Sequence, residues 1–213
     1  VYNLSSMISE QYLDKVVCAD AWDIVDQLPD ECFDLIFTDP VYENIMDYVR
    51  LAKVAKRLLK PNKPMIVWCS AKKMHRIVGV IDGFDKDFRY VYPIFYTVKA
   101  KGGKLCAYKM ITWTTPGLIF SKGKFEPRDW FIDTFISTSR PSGPYKWNKN
   151  IGVCKYYIDK ITSPGDVVWD PFTGYGVIPI ACSRLGRHFV ASEIDPAVAQ
   201  AAQSAENYVR DLF

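Results

Sequence analysis

This sequence predicts an α/β fold, a mostly parallel sheet flanked by helices, and three observations carry that prediction. Apolar runs without polar alternation, such as Phe33 to Thr38, Met65 to Cys69 and Val167 to Trp169, have the composition of strands buried on both faces. Stretches with apolar residues at helical intervals alternate with them. Several runs also end on an acid, at Asp20, Asp39, Asp170 and Glu193, the carboxyl end at which such sheets open a ligand crevice.

Val16 to Ala19 is a short strand closed by Asp20, and Trp22 to Leu28 has helical spacing until Pro29-Asp30 turns the chain. The strand Phe33 to Thr38 delivers Asp39. Ile45 to Leu59 is a helix whose later cations, Lys53, Lys56, Arg57 and Lys60, suit the negative end of its dipole before Pro61 and Pro64 stop it. Met65 to Cys69 is a strand and Lys72 to Ile81 a helix. Tyr90 to Val98 and Ala107 to Thr115 are rich in β-branched and aromatic residues, predicting an antiparallel hairpin near residues 90 to 120 around the Lys99 to Lys104 loop. Lys122 to Asn150, with Pro127, Pro141, Gly143 and Pro144, lacks periodicity and is the expected recognition loop. Gly152 to Thr162 is a helix ended by Ser163-Pro164-Gly165-Asp166. The strand Val167 to Trp169 then runs into a glycine turn at Asp170 to Gly176, followed by a helix to Leu185, a strand His188 to Ser192 ending at Glu193, and a helix from Pro196 to about Leu212. The sequence is expected to form one domain over residues 1–213.

With 213 residues, 49% of them hydrophobic, the chain can bury a sizeable core. No apolar run approaches the roughly 18 residues a membrane span needs, and Val1 to Glu10 has no signal-peptide centre. Six scattered cysteines without a Cys-x-x-Cys pair, and two isolated histidines, predict a reducing cytoplasm and no metal site. Charge is uneven. Residues 99–149 hold ten basic residues against three acidic ones, leaving the remainder net negative, which predicts a polyanion-facing side that includes Lys101, Lys104, Lys122 and Lys124.

Two motifs carry chemistry. An exocyclic amine on a nucleobase is a poor nucleophile because its lone pair is delocalised into the ring. The Asp39 carboxylate and the Pro40 carbonyl are two fixed acceptors suited to holding both amino hydrogens, and the Tyr42 ring is suited to stacking on an extruded base. Taken alone, Asp39-Pro40-Val41-Tyr42 is equally an ordinary strand-to-loop turn. In the second motif, Gly174 and Gly176 let the backbone approach a ligand, and Glu193 stands where nucleotide-binding folds place the acid that bonds ribose hydroxyls. Pro179, three residues after Gly176, leaves the dinucleotide fingerprint incomplete.

Together, Asp39-Pro40-Val41-Tyr42 and the later Asp170-Pro171-Phe172-Thr173-Gly174-Tyr175-Gly176 resemble the S-adenosylmethionine-dependent DNA amino-methyltransferases of the circularly permuted β group, in which the catalytic motif precedes the cofactor motif. Leu28-Pro29-Asp30, Leu58-Leu59-Lys60-Pro61, Phe120-Ser121-Lys122-Gly123 and Leu185-Gly186-Arg187 extend the resemblance over nearly the whole chain. It implies a Rossmann-like class I methyltransferase fold in permuted motif order, S-adenosyl-L-methionine as cofactor, and DNA as partner. It also implies a cytoplasmic enzyme, prokaryotic or phage-encoded, of the restriction-modification type. By position it implies Asp39, Pro40 and Tyr42 as catalytic residues. Asp170, Phe172, Gly174, Gly176 and Glu193 fall on the cofactor site, with Asp20 toward the adenine and Lys149 toward the methionine end.

Val41 stands where the family usually has a second proline, and the recognition stretch is compact. The enzyme is therefore expected to read a short site, clamp DNA weakly alone, or work with a second subunit, a homodimer being one such arrangement. An aspartate at position 39 favours adenine N6 over cytosine N4 and argues against the glutamine-methylating relatives with Asn-Pro-Pro-Tyr. A DNA-binding relative that has lost catalysis is the remaining alternative.

Overall fold

The computed structural model describes residues 8–82, 86–99, 103–105, 109–138 and 149–210. Alternation of strand and helix runs through β1 (Lys15–Cys18), α1 (Ala21–Ile24), β2 (Leu35–Thr38), α2 (Ile45–Leu58), β3 (Pro64–Trp68) and α3 (Met74–Asp82). A β-rich middle follows: β4 (Phe88–Val98), β5 (Gly103–Leu105), β6 (Met110–Thr112), β7 (Thr114–Lys122) and β8 (Thr134–Ser137). The chain closes with α4 (Ile151–Ile161), β9 (Val167–Asp170), α5 (Val177–Arg184), β10 (His188–Glu193) and α6 (Pro196–Arg210).

The main sheet has the order β1-β10-β9-β2-β3-β7-β4-β8, so the two halves of the sequence interleave, with β9 and β10 inserted between β1 and β2. β1, β10, β9, β2 and β3 are mutually parallel, and β7 runs antiparallel to both β3 and β4. This is the expected mostly parallel sheet with an antiparallel hairpin; β5 and β6 form a separate two-stranded ladder within that hairpin.

Side-chain alternation in the central strands divides the core into two layers. Ile36, Met65, Val67 and Trp169 face one layer with Tyr48, Leu51 and Leu58 of α2 and Ile77 of α3. Leu35, Phe37, Ile66, Trp68 and Val168 face the other, against Val153 and Tyr157 of α4 and Ala181 of α5. All four residues of β2 are buried, as are all four of β9, which is why neither strand shows polar alternation in the sequence.

Caps fix where the helices nearest the crevice begin. Asn44 accepts from the Met46 amide at 3.1 Å and starts α2 two residues after Tyr42. Asn150 accepts from the Gly152 amide at 2.7 Å and starts α4 directly after Lys149.

Two expectations are revised. The helix expected over Trp22 to Leu28 is α-helical only to Ile24 and tightens into a 3-10 turn over Val25–Gln27, because Leu28 precedes Pro29 and is extended, at ψ 132°. The stretch expected to be irregular from Lys122 to Asn150 contains β8, which adds an eighth, edge strand parallel to β4.

Candidate active site

Strand register brings the acids together. Cys18 is level with Glu193, Ala191 with Asp170, and Ile36 with Trp169. The strand ends therefore present Asp20, Glu193, Asp170 and Asp39 in that lateral order on four adjacent parallel strands, a row about 14 Å wide at the usual strand spacing.

At one end of the row, Asp39 emerges from β2 with its Oδ2 accepting from Lys149 Nζ at 2.6 Å, and the same ammonium donates to Tyr42 Oη at 2.8 Å. Lys149 Nζ also lies 5.4 Å from the Tyr42 ring centroid and 5.5 Å from that of Trp68, within cation-π range of both. The other Asp39 oxygen, Oδ1, is buried with no hydrogen-bond partner among the described residues. Burial first, then the charge of Asp39, pushes the Tyr42 phenol far above its ordinary range, so it stays neutral. Pro40 is buried, whereas Val41 is 69% exposed and surrenders no packing by not being proline.

Thr38 joins the two motifs. Its hydroxyl donates to Asp170 Oδ1 at 2.7 Å and accepts from the Phe172 amide at 3.3 Å. Asp170 is 1% exposed, and burial pushes its carboxyl up to about 7, against the opposing pull of the Thr38 hydroxyl.

The two glycines of the turn do different work. Gly174 has φ 53°, and a Cβ built there meets nothing within 4 Å, so its bare backbone faces open space. Its amide donates to Glu193 Oε2 at 3.0 Å. Gly176 has φ 77° and lies against α6, where a Cβ would sit 3.1 Å from Ala202 Cβ. Gly176 thus seats the helix, and Gly174 leaves room for a ligand. Glu193 Oε1 accepts from the Asp195 amide at 3.0 Å, which fixes the carboxylate while each oxygen retains a lone pair for a hydroxyl. Asp20 caps α1 by accepting from the Trp22 amide at 3.0 Å, and Trp22 contacts the edge of Phe172 with centroids 5.7 Å apart.

A cavity of about 220 Å³ connects the groups, lined by Asp39, Lys149, Asp170, Phe172 and Gly174. Trp68, Cys154, Val177 and Ile178 supply its apolar wall. Sequence reading missed these four and Thr38. Trp68 alone carried a signal, as an aromatic at the carboxyl end of a buried strand. The donor set fits S-adenosylmethionine: an anchored acid for ribose hydroxyls, a glycine backbone open to close approach, and an apolar wall ending at an acceptor.

The four lysines expected to bind DNA are not brought together. Lys101 lies outside the described residues. Lys104 lies in β5, inserted between the end of β4 and the start of β7, which is the sheet end at which Asp39 lies. Lys122 closes β7 at the opposite end, donating to Glu31 Oε1 and the Leu59 carbonyl, each at 2.8 Å, and Lys124 follows it, paired with Glu126 at 3.0 Å. A wider depression there, about 510 Å³ and lined by Lys122, Arg57, Asp30 and Glu31, is occupied by ion pairs.

Residues 126–204 match the DNA methylase family model. Among solved structures, the chain superposes on M1.HpyAVI in complex with S-adenosylmethionine with a TM-score of 0.77 and 22% identity, over 91% of this chain and 98% of that one. The cytosine-N4-specific PvuII DNA methyltransferase gives 0.78 and 15% identity, over 94% of each chain. A Thermus thermophilus protein assigned provisionally as a DNA modification methylase, solved with S-adenosyl-L-methionine, gives 0.70 and 18% identity, over 93% of this chain and 95% of that one. At these identities the superpositions establish the class I methyltransferase fold. The family match covers the later part of the chain, residues 126–204, and the superpositions extend the likeness in fold over nearly all of it.

Proposed function

We propose that the protein methylates the exocyclic N6 of adenine in DNA, on a base extruded from the duplex into the cavity at Asp39. The observation that carries the reading is the Asp39 carboxylate, with one oxygen buried and unpartnered, in a cavity shared with the Gly174 turn. S-adenosylmethionine, when bound, supplies an electrophilic methyl group on a sulfonium sulfur. Asp39 and the Pro40 carbonyl hold the two amino hydrogens, drawing the nitrogen lone pair out of the ring and aiming it in line with the methyl carbon. The Asp39 carboxylate is then the acceptor for the proton that the methylated nitrogen must lose. Tyr42 presents a ring face for stacking, which in single-strand binders is worth about 1–3 kcal/mol per base.

The lateral order of the strand-end acids supports the cofactor's orientation: Asp20 toward adenine, Glu193 at the ribose, Asp170 toward the methionine end, and the methyl group nearest Asp39. Lys104 belongs to the hairpin on the crevice side and, together with Lys101, is assigned to DNA phosphates, in a cytoplasmic enzyme whose single domain works alone or as a homodimer.

Cytosine N4 is the second reading, favoured by the fold match to the PvuII enzyme and by the same pair of acceptors serving either amine. Nucleoside mass spectrometry of DNA treated with enzyme and cofactor decides between them. N6-methyladenine is expected, and N4-methylcytosine without it overturns the choice of base.

A further inference from the structure

The Lys149 ammonium makes, within one small volume, the contacts an incoming amine would make. It donates to the Asp39 carboxylate at 2.6 Å and to Tyr42 Oη at 2.8 Å, and it lies over the faces of both Tyr42 and Trp68. The lysine is only 12% exposed, and it reaches the site from the residue before the Asn150 cap of α4. A nitrogen donor against the carboxylate and an aromatic ring beside it are what an exocyclic amine on a flat ring requires.

We infer that Lys149 occupies the seat of the target amine while no base is bound, keeping Asp39 paired and aimed, and that its withdrawal is part of base entry. The inference rests on the proposed amine chemistry at Asp39 and adds a displacement step to it. A carboxylate with one oxygen buried, left without a cation beside Trp68, Val177 and Ile178, would be disfavoured, so a built-in cation keeps the acceptor formed before the substrate arrives. The cost falls on the substrate, whose apparent affinity is reduced by the fraction of enzyme in which the seat is filled. Asp39 Oδ1, which Lys149 leaves unpartnered, is the position from which an arriving amine can begin the exchange.

Vacating the seat tests this without measuring methyl transfer. In Lys149→Ala, propylammonium should bind against Asp39 and raise the melting temperature by about 2 °C or more over sodium at equal ionic strength. Neither the wild type nor the Lys149→Ala/Asp39→Asn double variant should respond. With the cofactor site filled by S-adenosylhomocysteine, 9-methyladenine should likewise stabilise Lys149→Ala several-fold more than the wild type. Equal responses in wild type and Lys149→Ala, or responses that survive loss of the Asp39 charge, overturn the inference. Should Lys149→Ala fail to fold, Lys149→Ser carries the same comparison. A wild type that transfers no methyl group would instead defeat the proposed function, whatever the melting data show.

Discussion

Asp170→Asn should make the protein more stable at alkaline pH than at acid pH relative to wild type, and the size of that crossover follows from the geometry. Asp170 is 1% exposed at the end of β9, and burial raises its carboxyl from the ordinary 3.8 to about 7. Between those values the folded protein holds a proton that the unfolded chain has released, so wild-type stability falls as pH rises through the window and levels off above about 7. At 1.36 kcal/mol per pH unit, Asp170 has cost about 2 kcal/mol by pH 5 and about 4 kcal/mol by pH 8. Asparagine retains a carbonyl oxygen to accept from Thr38 Oγ1 but cannot ionise, so it carries none of this cost. Its buried amide adds a penalty of roughly 1–3 kcal/mol, which is the same at both pH values and cancels from the comparison. Urea melts of the cofactor-free proteins should therefore show the variant gaining about 2–3 kcal/mol on wild type between pH 5 and pH 8. A gain below about 0.5 kcal/mol would refute the reasoning, because the carboxyl would then ionise as easily in the fold as in the unfolded chain. A buried acid that costs stability at neutral pH is retained for its site rather than for the fold.

Asp39→Ala should abolish methyl transfer while calorimetry finds S-adenosylmethionine affinity nearly unchanged, since the cofactor turn lies on β9 and the acid on β2. Loss of cofactor binding as well would contradict that division. Gly174→Val should block the cofactor by filling the open space beside the turn. Gly176→Val should instead lower the unfolding free energy read from urea melts, by about 2 kcal/mol or more, because its side chain must push α6 away at Ala202 from a positive φ. If both variants fail in the same assay, the separate roles are wrong. Replacing Lys101 and Lys104 should reduce the slope of log DNA affinity against log salt by about one each, whereas replacing Lys122 and Lys124 should leave it unchanged. A slope that moves with the second pair would put DNA at the other end of the sheet.

The contrast between those lysine pairs shows what a linear reading delivers and where it stops. Buried parallel strands such as β2 and β9 announce themselves by lacking alternation, and four of the five parallel strands end at or within two residues of an acid, so Asp20, Asp39, Asp170 and Glu193 are all legible in the sequence. Strand order supplied the rest: only the insertion of β9 and β10 between β1 and β2 sets those acids side by side and places the Thr38 hydroxyl on Asp170. The edge strand β8 stayed hidden because its four residues, Thr134–Ser137, are paired on one side only and are mostly half-buried or exposed, which leaves neither a buried run nor a regular alternation. Lys149 could be placed near the cofactor by resemblance, but its contact with Asp39 spans 110 residues of sequence and has no local signature. The DNA-facing lysines were read from a charge count, and such a count has no direction. β7 runs antiparallel to β3, so the chain passes from the crevice at Thr114 to the opposite edge at Lys122 within one strand. Charge belonging to a single basic segment is thereby divided between the two ends of the sheet, and under the proposed function only the end at which Asp39 lies faces DNA.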